Sequence, residues 1–209
     1  MIKFKLNGKS IDVATSWDDL TFNQFLKSFD FNGDTLQAVS IASGLDYEYL
    51  KNHAIIGIEA LIQAVQFLKT PAKYTDPTFK LGKYTLPLDS KGQFNPQFKR
   101  LDQFEDMRKA MIDSDKGVKS IAESYAIYCA IYIQEFRDKE YSFSKAMAMV
   151  DEVKQMPAKE VVPAGSFFLL KLLSLLNGIK KTSPPTNRKQ KKLKRGSRTS
   201  VKSSGRMRR

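Results

Sequence analysis

This chain of 209 residues holds only one cysteine and one histidine, so it has one thiol and one imidazole for metal binding or catalysis. A lone Cys129 forbids an internal disulfide framework and fits a reducing compartment. A lone His53 forbids any site that needs two imidazoles, and a zinc site built on both would need carboxylates that no spacing supplies. The glycines form neither a phosphate-cradling loop ending in Lys-Ser/Thr nor a dinucleotide-binding fingerprint. The N-terminus has no basic region followed by an apolar run, so no signal peptide is expected. The longest apolar stretch, Phe167 to Leu176, is interrupted by Lys171 and Ser174 and has about half the length that a spanning helix needs. A soluble, cytoplasmic protein with no integral-membrane segment and no cofactor is expected.

Acidic residues are missing from one place in particular. Residues 180–209 contain 13 Lys and Arg and no Asp or Glu. Taking these 13 from the 35 basic residues leaves 22, which the 22 acidic residues balance, so the whole net charge of +13 belongs to this segment. Ser183-Pro184-Pro185-Thr186-Asn187 breaks any preceding helix, and the larger apolar residues beyond it are few. The segment cannot bury enough surface to offset chain entropy and is expected to be a disordered basic tail when unbound. The cluster of Arg188, Lys189, Lys191, Lys192, Lys194 and Arg195 suits nonspecific contact with DNA or RNA through counterion release. It has no aromatic residue on which bases could stack. A solubilising role, or docking to an acidic protein, fits the same composition.

Residues 1–179 read as a neutral, mainly helical body, with 1–70 and 75–179 as candidate sub-units. Ile2 to Leu6, the turn pair Asn7-Gly8 and Ser10 to Val13 predict a β-hairpin. Thr21 and Gln24 form a capping-box pattern that opens a helix through Phe22, Phe25, Leu26 and Phe29. Asp34 caps a second helix that Gly44 stops, Asp46 opens a short third, and Ile58 to Leu68 read as a longer fourth. Phe79 to Lys83 then echo the first hairpin, and Leu101-Asp102-Gln103-Phe104 opens another helix. A duplicated unit and two unrelated hairpins with shared turn chemistry account equally well for the echo. From Lys116 onward the pattern is helical. Ile121, Tyr125, Tyr128, Tyr132 and Phe136 make one apolar face, Phe143 to Lys154 a second helix, and Ala164 to Asn177 a last one bounded by Pro163 and Gly178. The expected fold class is α+β, mainly α.

Catalytic chemistry finds little support in this body. Asp30-Phe31-Asn32-Gly33-Asp34 and Asp113-Ser114-Asp115-Lys116-Gly117 begin like calcium loops. The first has Thr35 and Ile41, and the second Val118 and Ser124, where Gly and Glu are required. The pairs Asp18-Asp19, Glu105-Asp106 and Asp151-Glu152 are adjacent, so on a helix their side chains diverge by about 100°. His53 sits near a helix end, and Cys129 lies in an apolar helical stretch as a small core residue. Binding chemistry is better supported. Through Val162 to Leu176, Lys171 and Ser174 follow with Asn177 a narrow polar stripe and nearly everything else is apolar, which implies burial in the body's own core or against a partner. A membrane-surface helix beside a polybasic segment is a third reading, against which the lack of a broad basic face counts.

Trp17-Asp18-Asp19-Leu20-Thr21-Phe22-Asn23-Gln24-Phe25 resembles a segment of the tail assembly chaperones of tailed bacteriophages, in which a short hairpin precedes such a helix start. Leu101 to Phe104 and Val162-Pro163 to Phe167-Phe168 are similar to further elements of that group. The resemblance implies a non-enzymatic protein of the bacterial host cytoplasm that shields the hydrophobic tape measure protein, or another tail protein, during assembly. Its partner-binding candidates are Trp17, Phe22, Phe25, Phe167, Phe168 and Leu172. The basic tail departs from the family pattern and raises a nucleic-acid-binding accessory role.

Overall fold

The computed structural model describes residues 1–6, 8–52, 58–74, 80–85, 101–113, 117–138 and 140–182. Strands β1 (Ile2–Leu6) and β2 (Lys9–Val13) pair antiparallel from Ile2↔Val13 to Leu6↔Lys9, so a two-residue connection closes the predicted hairpin. Helices α1 (Phe22–Lys27), α2 (Thr35–Ser43), α3 (Tyr47–Lys51) and α4 (Ile58–Ala64) follow, the last continuing as a 3-10 turn over Gln66–Lys69. A minimal hairpin of β3 (Lys80–Leu81) and β4 (Tyr84–Thr85) precedes α5 (Leu101–Asp113), α6 (Val118–Arg137), α7 (Phe143–Ala148), α8 (Val150–Lys154) and α9 (Ala158–Thr182). The protein is α+β and mainly helical.

Local sequence sets the N-terminal elements. The Thr21 amide donates to Gln24 Oε1 at 2.8 Å and the Gln24 amide to Thr21 Oγ1 at 3.3 Å, completing the capping box. Asp34 accepts from the Gln37 amide at 2.9 Å at the start of α2, and Asp46 from the Tyr49 amide at 3.0 Å at the start of α3. Gly44 ends α2 at φ 72°, a left-handed conformation that costs a residue with a Cβ. Trp17–Asp19 form a 3-10 turn whose Asp19 Oδ2 accepts from the N-terminal ammonium (2.9 Å), the Thr15 amide (3.1 Å) and the Thr15 hydroxyl (3.0 Å). Burial alone would raise the Asp19 pKa, but these hydrogen bonds outweigh it and bring the carboxyl down from 3.8 to about 2. A folded-state pKa below the unfolded value means stability that is present above about pH 4 and lost as pH falls toward about 2. Asp19→Asn is therefore expected to cost about 1–2 kcal/mol at neutral pH and to flatten the stability profile in that window. Urea unfolding across the acid range, on variant and parent together, checks this.

The C-terminal half differs from its sequence reading in three ways. Periodicity assigns α6 a single apolar face, yet no residue from Tyr128 to Gln134 exposes more than 3 % of its surface. The helix is central, with α1, α5, α7, α8 and α9 packed around it, and tertiary burial extends over faces that periodicity leaves open. Phe143 to Lys154 is not one helix. It breaks at Met149, whose amide bonds the Ala146 carbonyl at 2.9 Å, and this 3-10 tightening lets Ala146, Met149, Val150 and Val153 all bury. The last helix starts at Ala158 rather than Ala164, carries Pro163 inside it, and runs past Gly178 to Thr182. Pro163 removes one donor, to the Lys159 carbonyl, and that loss falls within two turns of the helix start.

The two halves share one hydrophobic cluster, from Leu6, Val13 and Phe22 to Val161, Phe168 and Leu172, so 1–70 and 75–179 are not separate cores. Their joint is specific. The Phe22 amide donates to the Met156 carbonyl and the Ala158 amide to the Leu20 carbonyl, both at 2.8 Å, which fastens the start of α1 to the start of α9. The two hairpins have different supports: β1–β2 pack on α2, and β3–β4 dock on α9, with the Gly82 amide donating to Glu160 Oε2 at 2.6 Å.

Candidate partner-binding surfaces

The fold divides the six partner-binding candidates. Phe22, Phe168 and Leu172 are completely inaccessible, so they are core residues that no partner touches in this conformation. The Phe168 ring lies 4.7 Å from that of Tyr132 on α6, and burial in the body's own core satisfies its hydrophobicity. Phe25 is buried as well, between Trp17 and the Tyr74 and Phe29 rings. Trp17 is partly exposed but committed to the fold. Its Nε1 donates to the Thr70 carbonyl at 3.1 Å, its edge meets Phe67 at 5.5 Å, and its own carbonyl accepts from Tyr74 Oη at 2.8 Å. Phe167 is partly buried at the edge of the core. The Trp-acidic-acidic-Leu-Thr segment thus acts as an anchor for the start of α1.

Other candidates resolve similarly. Cys129 is fully buried with Sγ 4.0 Å from the Val161 carbonyl, and burial pushes its thiol pKa up, away from a reactive thiolate. Asp34 caps α2, and Asp30 pairs with Lys119. Among the described residues no group of three or more His, Cys, Asp or Glu converges as metal ligands would. His53 and the basic cluster Arg188, Lys189, Lys191, Lys192, Lys194 and Arg195 lie outside the described residues. Buried Gln134 is occupied structurally: its Nε2 donates to the Glu140 carbonyl at 2.9 Å and its Oε1 accepts from the Ser142 amide at 3.2 Å, latching the α6–α7 connection.

Besides scattered exposed side chains such as Val118 and Ile112, the candidate residues miss apolar surface in two places. One is the second half of α9, where Leu170 (64 % exposed), Leu173 and Leu175 are exposed between the core-packed Phe168, Leu172 and Leu176. Residues Ala158–Asn177 of this helix are, by length and composition, long and apolar enough to cross a membrane, a property not apparent from the run Phe167 to Leu176 alone. Within the fold its first half supplies core residues Ala158, Val161, Ala164 and Phe168. The second place is a groove over α6. Two depressions of about 470 Å³ each adjoin along Glu123, Ile127 and Met147, one reaching Leu26 and Val150, the other Ala110 and Phe143. Phe143 and Met147 are four residues apart on α7 and about two-fifths exposed. Their i, i+4 spacing was legible in the sequence, but which helical face turns outward was not. No protein-family model, curated protein or solved structure matches the chain.

Proposed function

We propose that the protein is a non-enzymatic tail assembly chaperone of a tailed bacteriophage, which holds the hydrophobic tape measure protein soluble in the host cytoplasm while tube subunits assemble. The carrying observation is the α6 groove, on whose wall Phe143 and Met147 are each about two-fifths exposed. Methionine and aromatic residues on an open groove can adapt to successive apolar stretches of a long helical client. The exposed leucines at the end of α9 extend the apolar surface available to such a client.

Coexpression with the tape measure protein of the same phage tests this reading. The full chain is expected to move that protein from the pellet to the supernatant, and truncation before Lys180 is expected to leave the effect intact. A tape measure protein that stays insoluble beside well-expressed full chain would sink the proposal.

A second reading, nucleic-acid binding through the basic segment, is favoured by the 13 basic and no acidic residues of 180–209. If the six clustered basic residues each neutralise a phosphate, duplex DNA affinity falls about a thousandfold between roughly 50 and 200 mM salt. Truncation before Lys180 then abolishes binding, as fluorescence anisotropy on a labelled duplex can read. Binding that survives truncation would place the contact on the body instead.

A further inference from the structure

We infer that the outward face of the second half of α9, together with the basic segment that follows it, docks the protein on an anionic lipid surface. The inference goes beyond the chaperone reading and does not depend on it. Leu170, Leu173, Ser174 and Asn177 are all exposed and fall within about 100° of one another around the helix, opposite the buried Phe168 and Leu172. Only 28 % of the apolar stretch within Ala158–Asn177 is buried in the fold, so packing on α6 leaves much of its hydrophobicity uncovered. An isolated interfacial helix needs a broad basic face because its far side meets water. The far side of α9 meets α6 instead, and the charge is supplied by the segment beyond.

That charge has no carboxylate to offset it. No Asp or Glu follows Glu160 in the sequence, while Lys171 and the 13 basic residues of 180–209 do. The helix runs on to Thr182, and Lys180 lies ten residues from Leu170, about 15 Å along the axis. Six further basic residues then crowd into 188–195. A cluster of this size beside an amphipathic helix suits anionic headgroups, each basic residue at the surface adding about fivefold in affinity. The adjacency of the two features selects lipid over nucleic acid. A bilayer takes the leucines at the boundary of its acyl chains and the lysines and arginines at its phosphates, whereas a duplex takes the charge and leaves the leucines in water.

Flotation of the full chain with vesicles tests this, using phosphatidylcholine alone or mixed with an equal part of phosphatidylglycerol. Affinity for the mixed vesicles is expected to exceed that for phosphatidylcholine by at least about a hundredfold, and truncation before Lys180 should remove the difference. Leu170→Ser combined with Leu173→Ser should weaken binding to the mixed vesicles by at least about tenfold, with the thermal transition and duplex DNA binding as in the parent. Leu170→Ser alone, at the more exposed position, should weaken it by about threefold and serves if the pair lowers the transition. No flotation with the mixed vesicles, or equal affinity for both kinds, overturns the inference. Full affinity in the leucine variants overturns it too, since the basic segment would then act without the helix face. An equal loss of DNA binding in those variants would assign the face to nucleic acid and overturn the lipid site.

Discussion

Gly165→Ala is expected to destabilise the protein by about 3 kcal/mol, although the same change in a solvent-facing helix would stabilise it by about 1 kcal/mol. At Gly165, α9 crosses α6 so closely that an added Cβ would stand 2.3 Å from Tyr125 Cβ, 2.4 Å from its Cγ and 3.0 Å from its Cα. The last of these is backbone, so no rotamer change relieves the contact and the helices must separate. This crossing is the most extensive between any two elements, and the separation would loosen the packing of Ala164 and Phe168 along with it. For a chain of this size the loss corresponds to a fall in Tm of roughly 10 °C, measurable by circular dichroism. Tyr125→Ala in the same background should rescue only part of the loss, since it removes the ring but leaves Cβ and Cα. A Tm unchanged or raised by Gly165→Ala would refute the crossing.

Phe168→Ala is expected to cost about 3–5 kcal/mol, whereas Leu170→Ser, two residues along the same helix, should change stability by no more than about 0.5 kcal/mol. The Phe168 ring is wholly enclosed and contacts Tyr132 and Phe167, so its removal leaves a cavity that the surrounding helices fill only in part. Leu170 points to solvent and leaves none. Urea unfolding of the two variants separates the faces of α9. Equal costs would mean that this helix is not seated on α6 as described. The contrast also fixes how partner loss should be read: a client released by Phe168→Ala reports unfolding, and one released by Leu170→Ser reports contact.

Much of the fold is legible from the chain, for local reasons. Thr21 with Gln24, Asp34 with Gly44, and Asp46 each mark a helix end through hydrogen bonds or a left-handed backbone that neighbours in sequence supply. The first hairpin is equally local, its register following from a two-residue turn. Pro163 misleads for an equally physical reason. Proline favours the first turn, but Pro157, Ala158 and the Leu20 carbonyl begin α9 earlier through a long-range contact that no local pattern carries.

The binding residues were harder to read. Aromatic and leucine content singles out Trp17, Phe22, Phe25, Phe167, Phe168 and Leu172, but hydrophobicity is the same whether a side chain faces a core or a partner. The fold assigned most of them to the core and left Phe143, Met147 and Leu170 outside. By itself the sequence determined the helix caps, the hairpin, the scarcity of cysteine and histidine, and the confinement of all net charge to residues 180–209, because composition and short-range hydrogen bonding decide these. Only the tertiary structure decided that α6 is enclosed, that Gly165 is a point of contact and that the open apolar surface lies over α6 and at the end of α9. Burial depends on which helices pack together, and residues distant in sequence set that packing.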